Sequence, residues 1–148
     1  MKGAQVNKPF SQQHYDEDDH AKYQILEWLR TKGYKCEINP DQYGVDILGS
    51  RWGKNFQFEV EVKHNWHGEF FPYECVHFSA RKRKFVTLDA DTWFVMLNHE
   101  RTHAMFIDGE RFMGSPMVMK DTKYSVNEAF VEVDIHWGIF RNLIEEGK

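Results

Sequence analysis

Gly44–Lys63, GVDILGSRWGKNFQFEVEVK, is the stretch that decides the fold. From Phe56 to Lys63 the residues alternate: Phe58, Val60 and Val62 fall on one side, Gln57, Glu59, Glu61 and Lys63 on the other. That is the pattern of a half-buried strand. Val45 to Leu48 predicts the strand before it, closed by Gly49 and Ser50. If the two run antiparallel about a turn centred between Gly53 and Lys54, Asp46 stands opposite Glu61, and Val45 and Ile47 oppose Val62 and Val60. Period-two alternation then sets Lys63 beside Glu61 on the polar face. Two carboxylates and an ammonium are expected at one spot.

Upstream, Asp16 to Lys32 predicts a helix with Ala21, Ile25, Trp28 and Leu29 on one face, acids Asp16 to Asp19 at its positive end and Gly33 as its stop. Tyr34 to Asn39 predicts a strand ended by Pro40. Downstream, Ser79 caps a short basic helix from about Ala80 to Leu88. Thr92 to Leu97 and His103 to Ile107 read as a hairpin pair, with Asp108 and Gly109 forming the next turn. Further strands are expected at Met117 to Met119 and Phe130 to Ile135, followed by an apolar tail through Trp137, Ile139, Phe140 and Leu143. Helix, three strands, helix and more strands make an α/β domain with a central mixed sheet flanked by helices. Residues 1–13 are polar and aperiodic and read as a flexible lead, leaving 14–148 as a single domain.

The 148 residues include 41% hydrophobic and 28% charged, and neither value suits a disordered or fibrous chain. The opening MKGAQVNKPFSQQ lacks a secretory apolar run and no later stretch is long enough to span a bilayer, so a cytoplasmic protein without membrane attachment is expected. Cys36 and Cys75 are far apart and read as reduced thiols. A net charge of −4 excludes a protein that coats nucleic acid by bulk electrostatics. Positive charge is instead local, at Arg81, Lys82, Arg83 and Lys84.

Neighbouring carboxylates repel unless a cation lies between them, and hard divalent ions prefer a few carboxylate oxygens plus water. Asp46 and Glu61 therefore predict a Mg²⁺ site, with Mn²⁺ as the alternative ion. At Asp46, Glu61 and Lys63 the chain resembles the PD-(D/E)XK nuclease superfamily, of restriction-endonuclease-like and Holliday-junction resolvase-like members. The resemblance runs from about Asp16 to Ile107 and departs at the motif's Pro, where Val45 stands.

That resemblance implies a restriction-endonuclease-like α-β-β-β-α-β core and a Mg²⁺-dependent phosphodiester hydrolase, a DNA endonuclease. It also implies a metal contact from the backbone carbonyl of Val62 and an acid on the first helix, Asp19 or Glu27, of which Asp19 is preferred. DNA of unspecified strandedness and structure is the expected partner, in a chain that works alone or as a homodimer. Arg81 to Lys84 read either as a solvated helix face or, beside an acidic metal site, as phosphate contacts that affect affinity and not turnover, because the run has no acidic partner in view. The competing reading is a nucleic-acid-binding domain that keeps the nuclease fold without cleaving.

Blander assignments accompany these. Glu59 shares the polar face and could serve as an extra ligand, but a solvated position is expected for it. Acids at a helix start need no function beyond the dipole. His64, His67 and His77 fall short of a zinc ligand set and are expected at the surface or on DNA. Trp52 and Trp66 either pack or stack on unpaired bases.

Overall fold

The computed structural model describes residues 12–122 and 127–146. The expected 1–13 lead therefore lies largely outside the described residues. Its last two positions belong to helix α1, Gln12–Thr31, which starts one turn before the predicted Asp16. Gln is a good helix former, and the first turns carry no apolar stripe to mark them. The acids Asp16 to Asp19 accordingly sit in the second turn and beyond, not at the N-terminus. Ala21, Ile25, Trp28 and Leu29 are all buried, as their spacing requires. Burying Ile25 and Leu29 contributes about 1.5–3 kcal/mol each.

Strands β1 (Lys35–Ile38), β2 (Ile47–Arg51) and β3 (Lys54–Val62) follow. Next come β4 (Cys75–Ser79), a 3₁₀ helix (Ala80–Phe85), β5 (Asp91–Leu97) and β6 (His103–Asp108). The chain continues through α2 (Gly109–Gly114), β7 (Met117–Lys120) and β8 (Glu128–Asp134). A 3₁₀ turn (Ile135–Trp137), β9 (Ile139–Asn142) and α3 (Leu143–Glu146) complete it.

Six strands form a mixed sheet in the order β9-β6-β5-β3-β2-β1, and a second sheet has the order β4-β8-β7. β3 and β5 are parallel, whereas β2–β3 and β5–β6 are antiparallel. A parallel neighbour demands a long crossover. Residues 63–90 supply it, carrying β4 and the basic 3₁₀ helix.

One face of the large sheet packs Ile47, Phe58, Val60, Val62, Val95 and Leu97 against α1. The other packs Phe94, Met96, Met105 and Ile107 against Val76 and Phe78 of β4, Val131 and Val133 of β8, and Phe112 of α2. The second layer is thus built mainly from the small sheet, with α2 as its helix. Asp108 and Gly109, read from sequence as a turn, start that helix: Asp108 accepts from the Glu110 backbone N–H at 2.8 Å. An Asp that caps and an Asp that turns look alike in sequence.

The register of β2 on β3 differs from the predicted one by two residues. Ile47 pairs with Phe58 and Arg51 with Lys54, leaving Trp52 and Gly53 as a two-residue loop. Both have positive φ, 55° and 77°, as a type I′ hairpin turn requires. β2 also runs through Gly49 and Ser50 instead of stopping there. A slip of two keeps each side chain on its face but changes its partner.

Candidate active site

Beyond Phe58, strand β3 has no further backbone pairing with β2. The backbone N–H of Val60 is satisfied instead by Asp46 Oδ2 at 2.8 Å. Continuing the observed register places Asp46 across from Glu59, not Glu61. The polar face of β3 looks into a cleft of about 1010 Å³ between the two sheets. Asp19 and Lys22 of α1, Asp46, Glu59, Glu61 and Lys63 line one side, and Arg81, Lys82 and Lys120 face them.

Glu59 is not solvated; its side chain is 13% exposed. Strand alternation points it toward the small sheet, where β4 and the 3₁₀ helix cover it. Burial raises its carboxyl to about 7; the Lys82 ammonium pulls the other way, and the adjacent Asp46 carboxylate adds to the rise. Lys82 Nζ donates to Glu59 Oε2 at 2.8 Å and stands 3.4 Å from Glu61 Oε1. Lys82 therefore has two acidic partners, contrary to the expectation for the basic run. Burial would depress its pKa, but the Glu61 and Glu59 charges outweigh it and hold the ammonium protonated.

Oε1 of Glu59 and Oε1 of Glu61 are buried and accept no hydrogen bond among the described residues, although the Lys82 ammonium forms an ion pair with the latter at 3.4 Å. A buried carboxylate oxygen left so is costly unless a cation or water meets it. Lys63 follows β3, its backbone N–H bonded to the Leu97 carbonyl at 2.8 Å. Burial lowers its ammonium pKa, Glu61 opposes that and Lys120 adds to it.

The structure separates the other candidates. Asp19 lines the cleft; Lys22 stands 3.7 Å from it and 3.8 Å from Asp46, bridging the two acids. Glu27 pairs with Arg30 at 3.0 Å and lies outside the cleft. Val62 lines it. Of the basic run only Arg81 and Lys82 do so: Arg83 reaches Met117 Sδ and Lys84 lies over the Phe85 ring. The run forms a 3₁₀ helix ending at Phe85, shorter than the helix expected to Leu88. Ser79 does cap it, accepting from the Arg81 N–H at 3.4 Å.

His77 bonds Glu132 at 2.9 Å on the small sheet, whereas His64 and His67 gather with His99 at the far end of β3. The proposed trio is thus not one group. Trp66 is fully buried and cannot stack on a base, while Trp52 is 81% exposed at the hairpin tip.

The residues suit a hydrated divalent ion. Among the described residues no group of three His, Cys, Asp or Glu side chains is placed to hold a metal ion, so an ion here would rest on one or two carboxylates. Mg²⁺ takes one or two carboxylates and fills the remainder with water and phosphate. The carboxylates of Asp46 and Glu61 in the cleft are donors of that kind, and the Lys82 ammonium beside Glu61 marks where positive charge is stable.

No family model and no curated protein sequence matches the chain. Among solved structures it is similar to Hjc of Archaeoglobus fulgidus, a Holliday junction resolvase from an archaeal hyperthermophile. The superposition covers 88% of this chain and 95% of that one, with a TM-score of 0.56 and 12% sequence identity. The chain has the restriction-endonuclease-like fold. At that identity the likeness speaks for the fold, which is the one implied by Asp46 and the Glu61-Val62-Lys63 run. Among the described residues no helix is long and apolar enough to cross a membrane.

Proposed function

We propose that this chain is a metal-dependent nuclease, a DNA endonuclease that hydrolyses phosphodiester bonds in the cleft between its two sheets. The observation that carries the reading is the cleft that brings Asp46, Glu61 and Lys63 together with Asp19 and Glu59, on a resolvase-like fold. Asp46 and Glu61 are the side chains assigned to hold Mg²⁺ or Mn²⁺, with the Val62 carbonyl as a further oxygen. When bound, such an ion supplies a nucleophile at neutral pH and offsets charge on the phosphate.

The chain's own groups do the rest. Lys63, half-buried and cationic, is placed to stabilise charge developing on phosphate oxygens or to orient the attacking water. Burial, with the Asp46 charge adding to it against Lys82, raises the Glu59 carboxyl to about 7, so that it takes up a proton near neutrality in the absence of metal. Asp19 acts through Lys22, which fixes the Asp46 carboxylate. Arg81 and Lys82 contact phosphates from the opposite wall; Arg83 and Lys84 extend that surface outside the cleft. A homodimer and a cytoplasmic place of action belong to the same reading.

One observation favours the alternative of a binding domain that does not cleave: Lys82 neutralises the two glutamates without any metal. The test is incubation of the purified protein with four-way-branched, nicked, linear and single-stranded DNA, each with Mg²⁺ and with excess chelator. Cleavage of at least one substrate only with metal supports the nuclease. Metal-independent retention of DNA without any cut supports the binding domain.

A further inference from the structure

A second cavity of about 310 Å³ lies on the opposite face of the large sheet, beyond the C-terminal half of α1. Trp28 follows Asp19 by nine residues, which puts this cavity about 14 Å along the helix from the cleft at ~1.5 Å per residue. It belongs to no part of the candidate active site. Trp28, Tyr34 and Trp93 supply aromatic walls, and Lys32, Arg51 and Arg141 supply three cations. Among the described residues that line it none is acidic, in a chain whose net charge is −4. Such a segregation of positive charge around rings is a recognition pattern for a flat anionic ligand.

Two details sharpen the chemistry. The indole Nε1 of Trp28 is a buried donor without a hydrogen-bond partner among the described residues, on a side chain only 9% exposed. Trp28 lines the cavity, so an acceptor that reached this N–H from there would satisfy it. Arg51 is held between two rings, 4.9 Å from the centroid of Tyr34 and 3.9 Å from that of Trp52. A guanidinium held over rings can still donate its N–H groups to a planar or tetrahedral oxyanion.

We propose that this cavity binds one nucleotide, with the base against Tyr34 and Trp93 and the phosphate on Arg51, Lys32 and Arg141. Base stacking on aromatic walls tolerates any base, so the site selects for a nucleotide and not for a sequence. The inference does not rest on the nuclease reading, because the pocket shares no residue with the cleft.

Deoxyadenosine monophosphate is titrated into the full-length protein in excess chelator, followed by quenching of tryptophan emission and by calorimetry. Saturable binding is expected, weakened about tenfold or more in Arg51→Ala and in Trp28→Phe, which keeps an apolar ring but removes the indole N–H. Trp28 is in the core, so circular dichroism checks that variant; if it does not fold, Arg51→Ala and the rim change Arg141→Gln decide. Deoxyadenosine and inorganic phosphate should each bind more weakly than the nucleotide that joins them. Phosphate binding as tightly as the nucleotide, absence of saturable binding in the millimolar range, or unchanged affinity in Arg51→Ala overturns the proposal. A 5′-phosphorylated trinucleotide separates the sources: competition with the monophosphate assigns the pocket to a strand, and failure to compete assigns it to free nucleotide. Both of those outcomes uphold it. DNA cleavage is measured apart, so loss of one reading leaves the other standing.

Discussion

Lys82 Nζ lies 2.8 Å from Glu59 Oε2, joining the crossover's 3₁₀ helix to the polar face of β3 across 23 residues of sequence. Both side chains are largely shielded, and the same ammonium is 3.4 Å from Glu61. Breaking a buried pair by removing one partner leaves an uncompensated charge, at about 3–5 kcal/mol. Lys82→Met, which keeps the stem, should therefore destabilise the protein by about 3 kcal/mol in chelator at pH 8, measured by urea unfolding. Adding Mg²⁺ or Ca²⁺ should restore much of the loss, because the ion takes the ammonium's place. Equal stability of variant and wild type in chelator would show that the ammonium is not needed there.

Glu59 gives a pH dependence of definite sign. Its carboxyl rises from 4.5 to about 7, chiefly through burial, with Lys82 opposing and Asp46 reinforcing the shift. Between those values the folded chain holds a proton that the unfolded chain has lost. Folding is favoured at the acid end and stability falls as pH rises toward 7. The contribution is at most about 3 kcal/mol at ~1.36 kcal/mol per pH unit. Glu59→Gln should remove that slope, so in chelator the variant gains on wild type between pH 5 and pH 8. Parallel stability curves across that range would contradict the assignment.

The hairpin makes a separate test of the register. Trp52 holds a φ of 55°, a conformation that L residues with large side chains disfavour by roughly 1–2 kcal/mol. Its stacking with Arg51 returns about 0.5–1 kcal/mol. Trp52→Asn, giving the Asn-Gly pair that type I′ turns prefer, should stabilise by about 0.5–1 kcal/mol in denaturant unfolding. A loss of stability would argue that the turn is centred elsewhere.

That turn also explains what the sequence conceals. The alternation of Phe58, Val60 and Val62 against Glu59, Glu61 and Lys63 was legible because burial enforces it, and so was the buried stripe of α1. The cross-strand partner of Asp46 was not, since Trp-Gly carries a weaker turn preference than Asn-Gly and registers two residues apart obey the same pattern. Glu59 was misplaced as solvated for a different reason. What covers it arrives from β4 and the Arg81–Lys84 run, and local periodicity says nothing about a crossover that folds back over its own strand. The same distance in sequence hid the Lys82 ion pairs.

The central claim is that Asp46 and Glu61 make a metal-dependent phosphodiesterase centre. The measurement is single-turnover cleavage, by wild type, Asp46→Asn and Glu61→Gln in Mg²⁺ and in chelator, of whichever of the four-way-branched, nicked, linear and single-stranded DNAs wild type cuts. Wild type should cleave in Mg²⁺ only and both variants should lose nearly all activity, with melting temperatures that barely change. Cleavage in excess chelator, or wild-type rates in both variants, would contradict it.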